Sequence, residues 1–186
     1  MTKEKTPQPW EVLDSEYLFQ RPWLTARRDH VRLPNGAENK EYYVLEYPDW
    51  VNVIARDSEG RFVMIQQYRH GLGRTCFELC AGVIDPDDAS PEVAGRRELL
   101  EETGYGGGQW KLLTVLSGNS STTTNLTYCF LAEGVERIDT QHLEATEDIT
   151  VHLFSEEEVR QLLENDEIKQ ALMAAPLWKY FAHTTR

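Results

Sequence analysis

Three carboxylates, Glu98, Glu101 and Glu102, stand within five residues of one another in the run Arg97-Glu98-Leu99-Leu100-Glu101-Glu102-Thr103-Gly104-Tyr105. On a helix, residues three and four apart lie on the same side, so all three acids share one face. Like charges at that spacing destabilise a bare helix, and a solvated acidic face would have lysines mixed in. None is present here, which implies that something positive neutralises the cluster. Hard carboxylate oxygens suit Mg²⁺ or Mn²⁺ rather than zinc or copper. The helix has a clear start: Ser90-Pro91-Glu92 offers serine as N-cap and proline at the first helical position. Upstream, Ala81-Gly82 begins a turn after a short strand, Cys76 to Leu79. Strand, loop and helix would together position a metal cage.

At these residues the chain resembles the Nudix hydrolases. Their signature is glycine, five residues, glutamate, seven residues, then Arg-Glu-aliphatic-x-Glu-Glu-x-Gly-aliphatic. Gly82 matches its opening and Arg97 to Gly104 its second half, with Tyr105 at the final apolar place. The intervening glutamate is missing. Six residues forward from Gly82 stands Asp88, and eight back from Arg97 stands Ala89, so the loop is one residue longer than the signature and the partner of Arg97 is open. The resemblance implies that Glu98, Glu101, Glu102 and the Ala81 carbonyl hold the metal, and that Gly82, Arg97 and Gly104 are structural, with Arg97 orienting a carboxylate. Glu98 is also among the catalytic candidates.

Within that family the chain is similar to the ADP-ribose and nucleoside-diphosphate-sugar pyrophosphatases. Phe77-Glu78-Leu79-Cys80-Ala81-Gly82 is similar to the Trp/Phe-Glu-Leu-Pro-Ala-Gly strand before the box, with Cys80 in place of proline. Gln67-Tyr68-Arg69 is similar to the strand end whose arginine contacts the substrate diphosphate. The resemblance implies substrate roles for Arg69 and Glu78. It also implies an N-terminal β subdomain that builds a homodimer and stacks the base on aromatics such as Trp23 and Tyr42. The box carboxylates being committed to metal, the general base is expected on an acidic loop before a late strand. That loop is His142 to Asp148, with Glu147 first and Glu144 second.

The expected activity is metal-dependent hydrolysis of a nucleoside diphosphate sugar such as ADP-ribose to a nucleoside monophosphate and a sugar phosphate. Nucleoside triphosphates or dinucleoside polyphosphates are the alternative substrates. A non-catalytic nucleotide sensor is the alternative class, disfavoured by the intact carboxylates and the lack of a basic region.

The rest of the chain supports this. A formal charge of −12 argues against a nucleic-acid backbone as partner. Three cysteines, Cys76, Cys80 and Cys129, lack zinc spacing and read as reduced thiols in a cytoplasmic protein. No apolar run approaches about 18 residues, so no membrane partner is expected. Residues 1–9 read as a disordered tail, 10–48 as the N-terminal β subdomain and 49–186 as the Nudix domain. Strands are expected at Trp10–Leu13, Trp23–Leu33 and Glu41–Tyr47, with a Pro34-Asn35-Gly36 turn that is a hairpin signal. Further strands follow at 51–55, 62–68, 110–116, 126–132 and 149–154, with Gly106-Gly107-Gly108 as a flexible exit from the box helix. The polar loop 117–125 reads as substrate-facing. Ser155 caps a helix, and a last helix runs from about Asp166 through Trp178, which is expected in the core. The fold class is α+β, compatible with the α/β/α sandwich and mixed sheet that the resemblance implies.

Overall fold

The computed structural model describes residues 6–184, so the first five residues of the expected disordered tail lie outside it. The chain divides into two units. One comprises the described residues up to Tyr47 together with Asn119–Asn125, and the other Pro48–Gly118 and the described residues from Leu126 onward.

The first unit is an antiparallel three-stranded sheet in the order β1 (Glu11–Arg21), β2 (Leu24–Arg32), β3 (Glu38–Glu46). Its second turn is the one expected from Pro34-Asn35-Gly36: Gly36 takes a left-handed φ of 87° and donates its N–H to the Leu33 carbonyl at 2.9 Å. Asn119–Asn125 joins β3 through a bridge between Leu45 and Thr123, and the Tyr42 hydroxyl donates to the Ser121 carbonyl at 2.5 Å. Few side chains are buried here: Val31, Val44 and Asp29, the last held by Arg27 and Ser15. β1 is far longer than expected, because almost every position is exposed and apolar alternation carries no signal.

The second unit is built on a mixed sheet. Its strands are β4 (Trp50–Asp57), β5 (Phe62–Arg69), β6 (Arg74–Glu78), β7 (Cys80–Val83), β8 (Tyr105–Leu116), β9 (Thr127–Arg137) and β10 (Ile149–Phe154). The order is β10-β5-β4-β9-β8, with β6 paired to β5 and β7 to β4. β4 runs parallel to β9, and the other pairs are antiparallel. Alternate residues of a strand face opposite sides. Val53 and Ala55 of β4 accordingly pack with Leu99 of α1 (Pro91–Thr103). Ile54 packs with Val159 of α2 (Glu156–Glu164) and with Leu177 and Phe181 of α3 (Ala171–Thr184). Helices thus cover both faces, which gives the expected α+β sandwich.

Two helix starts follow from capping. Ser90 accepts the Val93 N–H ahead of α1, and Ser155 forms a full capping box with Glu158 ahead of α2. α3 begins at Ala171 rather than near Asp166 and contains Pro176. A proline cannot bond the carbonyl four residues back, here that of Leu172. The buried Asn52 amide of β4 donates to that carbonyl instead, at 2.7 Å, tying the helix to the sheet. Trp178, expected in the core, is 44% exposed; Leu177, Tyr180 and Phe181 take the inward positions. The glycine run at 106–108 is not a flexible exit but part of β8, opposite Val135 and Glu136 of β9. No helix among the described residues is long and apolar enough to cross a membrane.

Candidate functional site

β7 and α1 bring the box together. Glu102 is buried and accepts the Ala81 N–H at 3.0 Å. Burial pushes its carboxyl up to about 8, against the pull of the Cys80 thiol and the Ala81 amide. Glu98 lies against the backbone of Gly82, where an added Cβ would come within 2.1 Å of its carboxylate. A side chain at 82 would displace that carboxylate. Burial raises Glu98 to about 7, although Arg97 draws it down. Both acids therefore converge on the Ala81–Gly82 backbone. Glu101, on the same helix, is more exposed and turns to Arg97 at 3.1 Å. Among the described residues no three His, Cys, Asp or Glu side chains are placed to hold a metal ion together, and Arg97 bonds both Glu98 and Glu101.

Arg97 links the loop to the helix. Its guanidinium donates to the Val83 carbonyl at 3.0 Å and to Asp88 at 3.0 and 3.4 Å, in addition to Glu98 and Glu101. Asp88 holds its own loop as well, accepting the Asp85 N–H at 2.9 Å. Its bond to Arg97 keeps its carboxyl below the usual range. The partner left open by the sequence count is thus Asp88, the residue six after Gly82. The extra loop residue falls after it.

Arg69 ends β5 opposite Arg74 of β6. Glu78, two per cent exposed, binds its guanidinium through Nε at 3.0 and 3.1 Å and Nη2 at 2.5 Å, and the Gln67 amide reaches the same carboxylate at 3.5 Å. Glu78 is therefore not an exposed strand residue but a buried counter-charge for Arg69. The Glu78 hydrogen bond raises the Arg69 pKa, with the charges of Glu78 and Glu102 adding to it, which places the arginine within electrostatic reach of the box helix.

The acidic loop is a tight turn: Glu147 N–H donates to the Glu144 carbonyl at 3.0 Å, and Glu144 N–H to the Glu147 carboxylate at 2.8 Å. Both side chains are exposed. The charge of Glu147 is a minor contributor to the elevation of both Glu98 and Glu102, so it lies within electrostatic reach of the box carboxylates. Trp23 and Tyr42 belong to the three-stranded unit; Trp23 is 74% exposed and packs into no core, while the Tyr42 ring meets Trp10 edge-on at 5.6 Å. The three cysteines are free and buried. Cys80, in the proline's place, sits behind Glu102, and burial pushes its thiol far up. No spacing rule marks that contact in the sequence.

Comparison with known proteins agrees with this geometry. Residues 10–45 match the nucleoside diphosphate sugar hydrolase N-terminal domain, and residues 46–175 match the NUDIX domain. An ADP-ribose pyrophosphatase of Mycobacterium tuberculosis is 31% identical over 180 residues, covering 95% of this chain and 85% of that one. One of Bacillus subtilis is 28% identical over 165 residues, 88% of each chain. A solved ADP compounds hydrolase superposes with a TM-score of 0.85 over 97% of both chains at 20% identity, a likeness of fold. With the NUDIX match spanning the box helix and its sheet, the chain belongs to the Nudix family of hydrolases acting on pyrophosphate bonds, in the company of the ADP-ribose and nucleoside-diphosphate-sugar pyrophosphatases.

Proposed function

We propose that this chain hydrolyses the diphosphate linkage of a nucleoside diphosphate sugar such as ADP-ribose, using a divalent cation, to a nucleoside monophosphate and a sugar phosphate. The observation that carries the reading is the pair of carboxylates, the partly buried Glu98 and the buried Glu102, crowded onto Ala81–Gly82 and raised to about 7 and about 8 by desolvation. A divalent cation beside them would favour the charged form of both. The donors are oxygens, which fit Mg²⁺ or Mn²⁺. Glu98, Glu102, Glu101 and the Ala81 carbonyl would hold the ion. When bound, it neutralises phosphate charge and lowers the pKa of a water.

The other residues bind, orient and move the proton. Arg69, fixed by Glu78, pairs with the substrate diphosphate. Arg97, fixed by Asp88, keeps Glu98 and Glu101 in register with the loop. Glu147, with Glu144 second, accepts the proton of the attacking water. Trp23 and Tyr42 are the candidates for stacking on the base. Large exposed apolar side chains on the three-stranded sheet, among them Tyr17, Phe19, Trp23 and Tyr43, support a homodimer formed through that sheet. Free buried cysteines are consistent with a reducing, cytoplasmic setting.

A substrate panel with Mg²⁺ and Mn²⁺, with products identified, tests the reading. ADP-ribose should give AMP and ribose 5-phosphate. Cleavage confined to nucleoside triphosphates or dinucleoside polyphosphates would overturn the substrate class, and tight binding without turnover would overturn the enzyme reading.

A further inference from the structure

The last carbonyls of a helix have no partners within it. At the end of α1, Gly104 N–H closes on the Leu100 carbonyl at 2.8 Å. The carbonyls beyond are taken by a segment from far along the chain. Glu101 accepts the His142 N–H at 2.8 Å, and Gly104 accepts those of Ile138 and Asp139 at 2.9 and 3.1 Å. Glu102 accepts from the Gln141 side-chain amide at 2.8 Å. The same amide donates to the carbonyl of Ile149, the first residue of β10, at 3.2 Å. Both partners are acceptors only, so the Gln141 side chain must present its nitrogen to them. Gly104 makes this approach possible: at its φ of 75°, a Cβ would lie 2.3 Å from the Asp139 carbonyl oxygen.

Between Gln141 and Ile149 runs the acidic loop. Its two ends are thus joined to one another and to the residue that carries the buried Glu102 carboxylate. We propose that Gln141 is a positioning residue: its amide clamps the acidic loop to the C-terminal end of the box helix and so holds Glu147 in register with Glu98 and Glu102. The catalytic half of this inference rests on the reading of Glu147 as general base. Exposed loops are otherwise mobile, and a misplacement of about 1 Å at a reacting group costs about 100-fold in rate.

Two variants remove the clamp differently. Gln141→Ala deletes the side chain; Gln141→Glu keeps its length and loses both donors. Thr146→Ala, an exposed change in the same loop, is the control. Three readouts are needed on the metal-loaded enzyme: kcat and KM, amide hydrogen exchange over residues 142–148, and the double variant Gln141→Ala with Glu147→Gln. Both Gln141 variants should exchange the loop amides faster and lose about 10- to 100-fold in kcat with KM little changed. Thr146→Ala should match the unmodified enzyme. The double variant should lose no more than Glu147→Gln alone, because Gln141 acts through Glu147. Unchanged loop exchange in both Gln141 variants, or losses that multiply in the double variant, would overturn the proposal. Faster exchange combined with full kcat in Glu147→Gln would instead overturn the base reading, and with it the catalytic half, while leaving the clamp in place.

Discussion

The two units of this chain solve the folding problem in different ways. The mixed sheet of the second buries Val51, Val53, Ile54, Phe62 and Met64 completely between helices, and two of its buried carboxylates are Glu102 of the box and Glu78 of the Arg69–Glu78 pair. The three-stranded sheet buries almost nothing. It is laced with ion pairs such as Arg28–Glu16 and Arg32–Glu38, and it leaves Tyr17, Phe19 and Trp23 at least half exposed. Two or three strands without a covered face are marginal on their own. The first arrangement places desolvated carboxylates at the box; the second leaves apolar side chains exposed.

That contrast can be broken by substitution. The largest effect should come from the acidic loop of the second unit: Glu147→Gln, measured beside Glu144→Gln at saturating metal, should lower kcat by about 10²–10⁴. If neither variant loses even tenfold, the base is elsewhere. In the core of the same unit, Phe62→Ala should cost about 3–5 kcal/mol in denaturant unfolding. Gly82→Ala is next. Its methyl would push the Glu98 carboxylate, the end of a flexible side chain, out of place, so turnover should fall more than Tm. An active, unshifted Gly82→Ala enzyme would remove Glu98 from its assigned place. In the first unit, Trp23→Ala should raise KM more than it lowers kcat, by up to the value of one base–aromatic stack, about 1–3 kcal/mol. The smallest change in stability belongs to Phe19→Ser, within about 0.5 kcal/mol for an exposed site, yet light scattering should show the dimer weakened. A chain that is monomeric before the substitution would contradict the association surface.

Legibility in the sequence follows the same division. The box helix declared itself through Ser90, Pro91 and the glycine at 104, local signals that act within one turn. Strands with both faces buried, such as β4, read as apolar runs, while the exposed strands β2 and β3 were legible through the Asn35-Gly36 turn between them. The glycines at 106–108 misled because such a run signals either mobility or an irregular strand; here Gly107 and Gly108 take left-handed φ inside β8, which β9 holds in register. The last helix begins at Ala171 rather than near Asp166 and runs through Pro176, whose missing bond to Leu172 is replaced by Asn52, more than a hundred residues away, which no window along the chain can reach. At the site, carboxylate identity was legible and partnership was not. Asp88 could be counted to but not assigned, and Gln141 carries no motif, since its value lies in two carbonyls brought to it by the fold.

The central claim is that Glu98 and Glu102, packed onto Ala81–Gly82, form the cation site on which pyrophosphate hydrolysis depends. Mn²⁺ binding followed by electron paramagnetic resonance, alongside ADP-ribose turnover, tests it in a single variant. Glu102→Gln should retain its circular dichroism and melting profile, bind Mn²⁺ more weakly and lose most of its activity. A folded Glu102→Gln protein that turns over ADP-ribose at nearly the full rate with Mg²⁺ would contradict the account.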